Sequence, residues 1–133
     1  MRCYGLEHVG LAARDPEALA TWYADVLDAQ EVSRSGGEAP IIFLSFGGGA
    51  LLELVPAAAE DLAAADLQRG HICWGVSSLE TALEELTARG IQLDREVFAA
   101  YDGSRVAFFR DPEGNLLQLV ERVAESDVHA AVF

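Results

Sequence analysis

Lysine is absent from the 133 residues, and the nine basic side chains, all arginines, are set singly from Arg2 to Arg122 against 22 aspartates and glutamates. The formal charge is −13. With a field of that sign and no basic stripe, nucleic acid and acidic membrane surfaces are excluded as partners. A small anionic substrate is not, because a bound dication and one or two local arginines can dominate the field inside a pocket. Cysteine is nearly as scarce. Cys3 and Cys73 are too few for a disulfide scaffold and lack the local spacing of a zinc motif, so both read as reduced thiols. Although 51% of the residues are apolar, no stretch approaches the roughly eighteen uninterrupted apolar residues of a membrane-spanning helix. The opening residues 1–8 lack the apolar run and small-residue cleavage site of a secretory signal, which makes a cytoplasmic location the expectation. What is present suffices for one domain, since a chain of this length buries a core without disulfides.

The chain repeats itself. Leu51-Leu52-Glu53-Leu54-Val55 returns as Leu116-Leu117-Gln118-Leu119-Val120, and His8-Val9 returns as His71-Ile72. The offsets, 118 − 53 = 65 and 71 − 8 = 63, are nearly constant and the order is shared, which makes duplication a better account than chance. The expected organisation is one domain, residues 1–133, of two repeats at about 1–56 and 70–122, with a joint at 57–69 and a tail at 123–133.

Each repeat reads as β-α-β-β-β. In the first, residues 4–11 form a strand. Asp15-Pro16-Glu17 then supplies an N-cap, a proline at the first helical position and an acidic first turn. Leu19, Trp22, Tyr23, Val26 and Leu27 follow at helical spacing. Strands are expected near 30–34, 41–46 and 50–55, with Gly47-Gly48-Gly49 turning between the last two. In the second, a strand at 71–76 leads to Ser77 and Glu80 at capping-box spacing. Leu79, Leu83 and Leu86 line a helix that Gly90 stops. Strands near 91–96, 105–109 and 116–121 follow, the last after the turn Asp111-Pro112-Glu113-Gly114-Asn115. The alanine-rich joint reads as partly helical, and the tail as a short helix or a frayed end.

Strand alternation then separates the polar residues from the core. Leu52 and Leu54 face the helix while Glu53 faces the other way, and Leu117 and Leu119 flank Gln118 in the same manner. Val9 and Leu11 take the helix side, as do Ile72, Trp74 and Val76, so His8 and His71 point away from the helices. Four polar residues at equivalent positions thus occupy the helix-free face, where each needs a partner or a ligand. Two imidazoles, a carboxylate and an amide oxygen suit one divalent ion of intermediate hardness, Zn, Ni, Mn or Fe, with room for water or substrate. The plain alternative is four separately satisfied polar side chains.

With these residues in view, the sequence resembles the vicinal oxygen chelate superfamily, which includes glyoxalase I, methylmalonyl-CoA epimerase, extradiol dioxygenases, fosfomycin-modifying enzymes and bleomycin-resistance proteins. The similarity runs from Leu6-Glu7-His8-Val9-Gly10 to the Asp-Pro-Glu-Gly-Asn turn and Leu116-Leu117-Gln118-Leu119. It implies an α+β fold of two tandem βαβββ units, forming cupped mixed sheets with helices on the outer face, around a metal that chelates two neighbouring oxygens of a substrate. It assigns metal roles to His8, Glu53 and His71. At the fourth place, relatives usually carry glutamate where this chain has Gln118. A dication among these donors would keep a net charge near +1 and be a stronger Lewis acid, but only Glu53 remains as a carboxylate base. Glu121 is expected on the other face, as a solvated strand-end acid.

The resemblance implies a glyoxalase-like, metal-dependent lyase or isomerase acting on a small molecule, with proton transfer by Glu53 or a metal-bound water. Ferrous dioxygenase chemistry ranks lower, because such relatives take a carboxylate from the closing strand, where Gln118 stands. The reading from another class is a ligand-sequestering protein like the bleomycin-resistance proteins. Aromatics lining a groove would favour it, but Trp22 and Trp74 fall on expected core faces. A homodimer is expected, since related two-unit chains are usually dimers. Smaller expectations concern Cys73, on the face of His71 but read as a buried structural thiol, and Arg105 and Arg110, which could meet an anionic substrate. The loop 101–104 is expected to border the pocket, and His129 to lie at the surface.

Overall fold

A computed structural model describes residues 1, 7–58 and 71–132. The chain divides into two compact units, Met1–Asp66 and Leu67–Phe133. Cys3 and most of the joint lie outside the described residues.

In the first unit, β1 (His8–Ala13) leads into α1 (Pro16–Leu27), followed by β2 (Gln30–Arg34), β3 (Ile42–Ser45) and β4 (Leu51–Pro56). The helix starts where Asp15 accepts a hydrogen bond from the amide of Ala18 at 3.0 Å and Pro16 supplies a preset φ. It ends at Asp28, whose φ of 55° is left-handed, a conformation aspartate tolerates better than most residues. The sheet order is β1-β4-β3-β2, with β1 parallel to β4 and the other pairs antiparallel. Leu19 and Tyr23 of α1 are buried, as are Ile42, Leu44, Leu52 and Leu54 of the strands it faces. Trp22, Val26 and Leu27, expected on the same apolar face, are half-buried. A register shift between Glu31 and Ser33 leaves Val32 exposed on edge strand β2. Arg34 clamps that edge to the helix, donating to Glu31 and to Glu17 of α1.

The second unit repeats the plan with β5 (Ile72–Gly75), α2 (Leu79–Ala88), β6 (Phe98–Ala99), β7 (Arg105–Arg110) and β8 (Leu116–Glu121) in the order β5-β8-β7-β6. Its parallel pair is again first strand with last, β5 with β8. The two mixed four-stranded sheets therefore share one topology, as a tandem duplication requires. Phe109, Leu117 and Leu119 are buried beneath Leu79 and Leu86 of α2.

Three details differ from the sequence reading. The cap of α2 is Ser78, whose Oγ accepts from the Thr81 amide at 3.2 Å, not Ser77. The strand expected at 91–96 is reduced to a single bridge between Leu93 and Phe109, and pairing resumes only at Phe98. Contacts with β7 accompany the break: Arg110 Nε holds the Asp94 carboxylate at 2.8 Å while the Asp94 amide donates to the Phe108 carbonyl at 2.7 Å, and the chain bends there. The third concerns Glu121. It does lie on the helix side, but it is no solvated acid: its Oε2 accepts from the Leu79 amide at 2.5 Å. There it satisfies the first turn of α2 and opposes the helix dipole, worth about 1 kcal/mol.

The tail forms α3 (Asp127–Val132) and is latched to the loop 101–104. The Asp102 carboxylate accepts from the Ser126 hydroxyl at 2.6 Å, the Ser104 amide at 3.0 Å and Arg122 at 3.1 Å. These contacts, the Ser126 hydroxyl first, hold its carboxyl well below the usual carboxylate range. A group depressed in the folded state contributes stability that is present above its unfolded value, about 3.9, and is lost as pH falls below it. Acid unfolding of the parent should therefore steepen below about pH 4, and Asp102→Asn should flatten that limb while lowering stability at neutral pH. Equal slopes for the two proteins would show that this latch does not govern acid stability.

Candidate functional site

The parallel pairing of β1 with β4 places Gly10 opposite Glu53, and β3 places Phe43 on the other side of Glu53. His8, two residues before Gly10, shares their face. Its Nε2 lies 3.3 Å from Glu53 Oε2, and its ring meets Phe43 edge-on with centroids 5.6 Å apart. The Nδ1 lies 2.7 Å from a Glu7 carboxylate oxygen, so both ring nitrogens face carboxylates. A side chain at position 10 would intrude, since a Cβ there would stand 3.3 Å from Glu53 Oε2. Glycine thus leaves room for the carboxylate beside it, whose tip would have to give by a few tenths of an ångström to admit a side chain.

The second unit carries the same constellation. Cys73 is opposite Gln118 on β5, Phe108 is opposite it on β7, and His71 meets Phe108 edge-on at 5.3 Å. His71 is exposed and Gln118 half-buried. Each polar residue of the closing strand therefore sits between a small residue (Gly10 or Cys73) and a phenylalanine, with an imidazole diagonal to it. His8 and Glu53 meet within the first unit, whereas His71 and Gln118 each adjoin Phe108 in the second. Among the described residues, no group of three or more histidine, cysteine, aspartate or glutamate side chains is gathered closely enough to hold a metal ion.

Cys73 departs from its expected burial. It keeps exposed surface, yet the surrounding sheet desolvates the sulfur and raises its thiol above the ordinary value, partly offset by Arg122. It is therefore a thiol at neutral pH, not an activated thiolate. The two arginines singled out from sequence serve other ends. Arg105 pairs in register with Glu121 and so lies on the helix side, lining a groove of about 700 Å³ with Leu83, Thr87 and Ala88. Arg110 is engaged by Asp94 and by the Gly114 carbonyl. The closing turn is built around Asp111, whose carboxylate accepts from the amides of Glu113 and Asn115 and from the Asn115 side chain at 2.6 Å. That turn, with Gly114 at φ 87°, aims β8 and hence Gln118. The side chain of His129 is outside what the structure describes.

Sequence reasoning missed Phe43, Phe108, Phe98 and Arg95. The first two were findable, because they obey the same offset as Glu53 and Gln118. Phe98 stacks on Phe108 with centroids 6.0 Å apart, and the Arg95 guanidinium carbon lies 4.6 Å above the Phe108 ring. Nothing in the local sequence distinguishes these two from ordinary surface residues.

No curated protein matches the chain significantly, but solved structures do. One is a superfamily member from Sphaerobacter thermophilus DSM 20745, 20% identical, with a TM-score of 0.72 over 90% of this chain and 98% of that one. A second, oxidase ChaP-H2, is 25% identical with a TM-score of 0.73 over 94% and 98%. A third is a mutant of the fosfomycin resistance protein FosX from Listeria monocytogenes, complexed with Mn(II) and 1S,2S-dihydroxypropylphosphonic acid. It is 19% identical with a TM-score of 0.74 over 93% and 94%. A family model matches residues 5–119, from the opening strand through the strand that carries Gln118, and on that evidence the chain belongs to the Glyoxalase/Bleomycin resistance protein/Dioxygenase superfamily.

Proposed function

We propose that the protein is a glyoxalase-like, metal-dependent enzyme of the lyase or isomerase kind, in which His8, Glu53, His71 and Gln118 hold one divalent ion. The observation that carries this is the His8–Glu53 pair. The two His8 ring nitrogens face carboxylates of Glu7 and Glu53 at 2.7 and 3.3 Å, and the Nε2–Oε2 approach is favourable with a proton or a metal cation between the two atoms. Two donors each about 2.1 Å from one ion and at right angles to each other stand about 3.0 Å apart, so the pair has the bite of neighbouring ligands. The Mn(II) in the FosX complex supports an ion of this class, Zn, Ni, Mn or Fe.

When bound, such an ion supplies Lewis-acid polarisation of a substrate oxygen. This chain's residues do the rest. Glu53 would take a proton from the carbon next to the polarised group and return it to the substrate. Glu7 holds the His8 ring at Nδ1, and Gln118 presents an amide that accepts or donates without adding charge. The substrate is a small molecule, and a homodimer is the expected assembly.

Elemental analysis tests this reading. Protein purified without added metal, then loaded with Mn(II), Zn(II), Ni(II) or Fe(II) and desalted, should hold about one ion per site. No retained ion under any loading would overturn it. A second reading is favoured by Phe43, Phe98 and Phe108 on the helix-free faces, which fit a ligand-sequestering protein of the bleomycin-resistance kind. A ligand bound equally well with and without metal would support that one. Dioxygenase chemistry has the least support, for want of a carboxylate at position 118.

A further inference from the structure

The helix-free face of the second sheet carries a positive charge that neither the metal reading nor the fold uses. Arg95 lies in the bend between α2 and β6, with its guanidinium carbon 4.6 Å over the Phe108 ring. Its side chain is 52% exposed, and its ion pair with Asp94 is marginal at 3.5 Å. Asp94 has a better partner in Arg110 at 2.8 Å. Arg95 therefore retains donors that point to no described protein acceptor.

The ring beneath it is the one that His71 meets at 5.3 Å and that lies opposite Gln118. Phe98, 43% exposed, extends the apolar surface parallel to that ring at an interplanar angle of 16°. With its carbon 4.6 Å from the ring centroid and its side chain half exposed, the Arg95 guanidinium keeps N–H donors available for a bidentate pair with carboxylate or phosphonate oxygens. In a chain of formal charge −13, an anion is repelled at long range and is held only by a local cation of this kind.

We infer that Arg95 is the anion-recognising residue of the candidate site, and that its ligand is a small organic acid, a carboxylate or phosphonate carried on a flat apolar body that covers Phe98. This deepens the proposed function by naming a substrate class, and rests on it only in taking the His71–Gln118 face as the ligand-facing one.

Binding of benzoate, phenylphosphonate and neutral benzamide, measured by calorimetry on protein kept metal-free with chelator, tests the inference apart from catalysis. At least one acid should bind about tenfold or more tighter than benzamide, the advantage of a charge-assisted pair over a neutral one. Arg95→Met should erase that advantage and leave benzamide unchanged, whereas Arg95→Lys should retain part of it. Acids no tighter than benzamide in the parent, or an advantage that survives Arg95→Met, would overturn the proposal. Should Arg95→Met melt early, the parent's preference and its partial retention in Arg95→Lys still decide. Metal uptake separates the two readings: a parent that retains no ion under any loading still shows the acid preference, and loss of the preference on Arg95→Met leaves metal uptake intact.

Discussion

Replacing His8 and His71 together with alanine should lower affinity for a divalent ion by more than about 100-fold while the fold persists. The loss is large because the substitution removes both neutral nitrogen donors and leaves one carboxylate and one amide, a set with little preference for a transition metal over water. The fold should persist because neither imidazole is part of a core: His8 is 36% exposed in its side chain and His71 is exposed, both on the face opposite Leu52, Leu54, Leu117 and Leu119. Substitutions at such positions usually change stability by no more than about 0.5 kcal/mol. His8→Ala alone should also relieve Glu53 of its neighbour at 3.3 Å, so the single variants need not be equal, and the first unit's is expected to be the more damaging. Inductively coupled plasma analysis beside a thermal melt reads both quantities. A double variant that melts like the parent and still carries stoichiometric metal would remove the four-residue site.

The second large effect concerns Gln118, where the two units differ in charge while agreeing in position. With neutral imidazoles, Glu53 gives the donor set a charge of −1, and Gln118→Glu doubles it. Affinity for a dication should then rise by at least about tenfold, since an added anion beside the ion acts where water is partly excluded. The Lewis acidity of the ion falls in the same step, while a second carboxylate becomes available to move protons. Isomerisation of a hemithioacetal, slow or absent in the parent, should appear or increase if the missing base is what limits it. The space exists: Cys73, opposite position 118, is a neutral thiol that a carboxylate tolerates, and Phe108 on the other side parallels Phe43 beside Glu53. Metal titrations of parent and variant at one pH read the outcome. Unchanged affinity would place Gln118 outside direct contact with the ion, orienting a water or substrate oxygen instead.

Much of the site was legible because strand side chains alternate. Once the paired pentapeptides at 51–55 and 116–120 were aligned, Glu53 and Gln118 had to oppose the buried leucines, and the structure places them so. The same offset carried one step further would have found Phe43 and Phe108. What misled was reading charge without neighbours. Arg105 and Arg110 look like anion binders in a list of residues, yet one lies on the helix side and the other is consumed by Asp94. Glu121 was placed on the correct face and given the wrong role, because an amide 42 positions away in the chain leaves no mark on local sequence.

The sequence by itself determined the two-unit plan, the family pattern and the face on which each polar residue stands, because a period of two and a repeat offset are written along the chain. Tertiary structure alone decided what stands beside each of them. Parallel pairing joins the first strand of each unit to its last, and only that register sets Gly10 against Glu53, Cys73 against Gln118 and a phenylalanine across from both. The bend at Asp94 likewise accompanies an ion pair to Arg110 on another strand, and it is this bend that carries Arg95 onto the Phe108 ring. Periodicity encodes orientation locally, whereas contact depends on which distant strand arrives alongside.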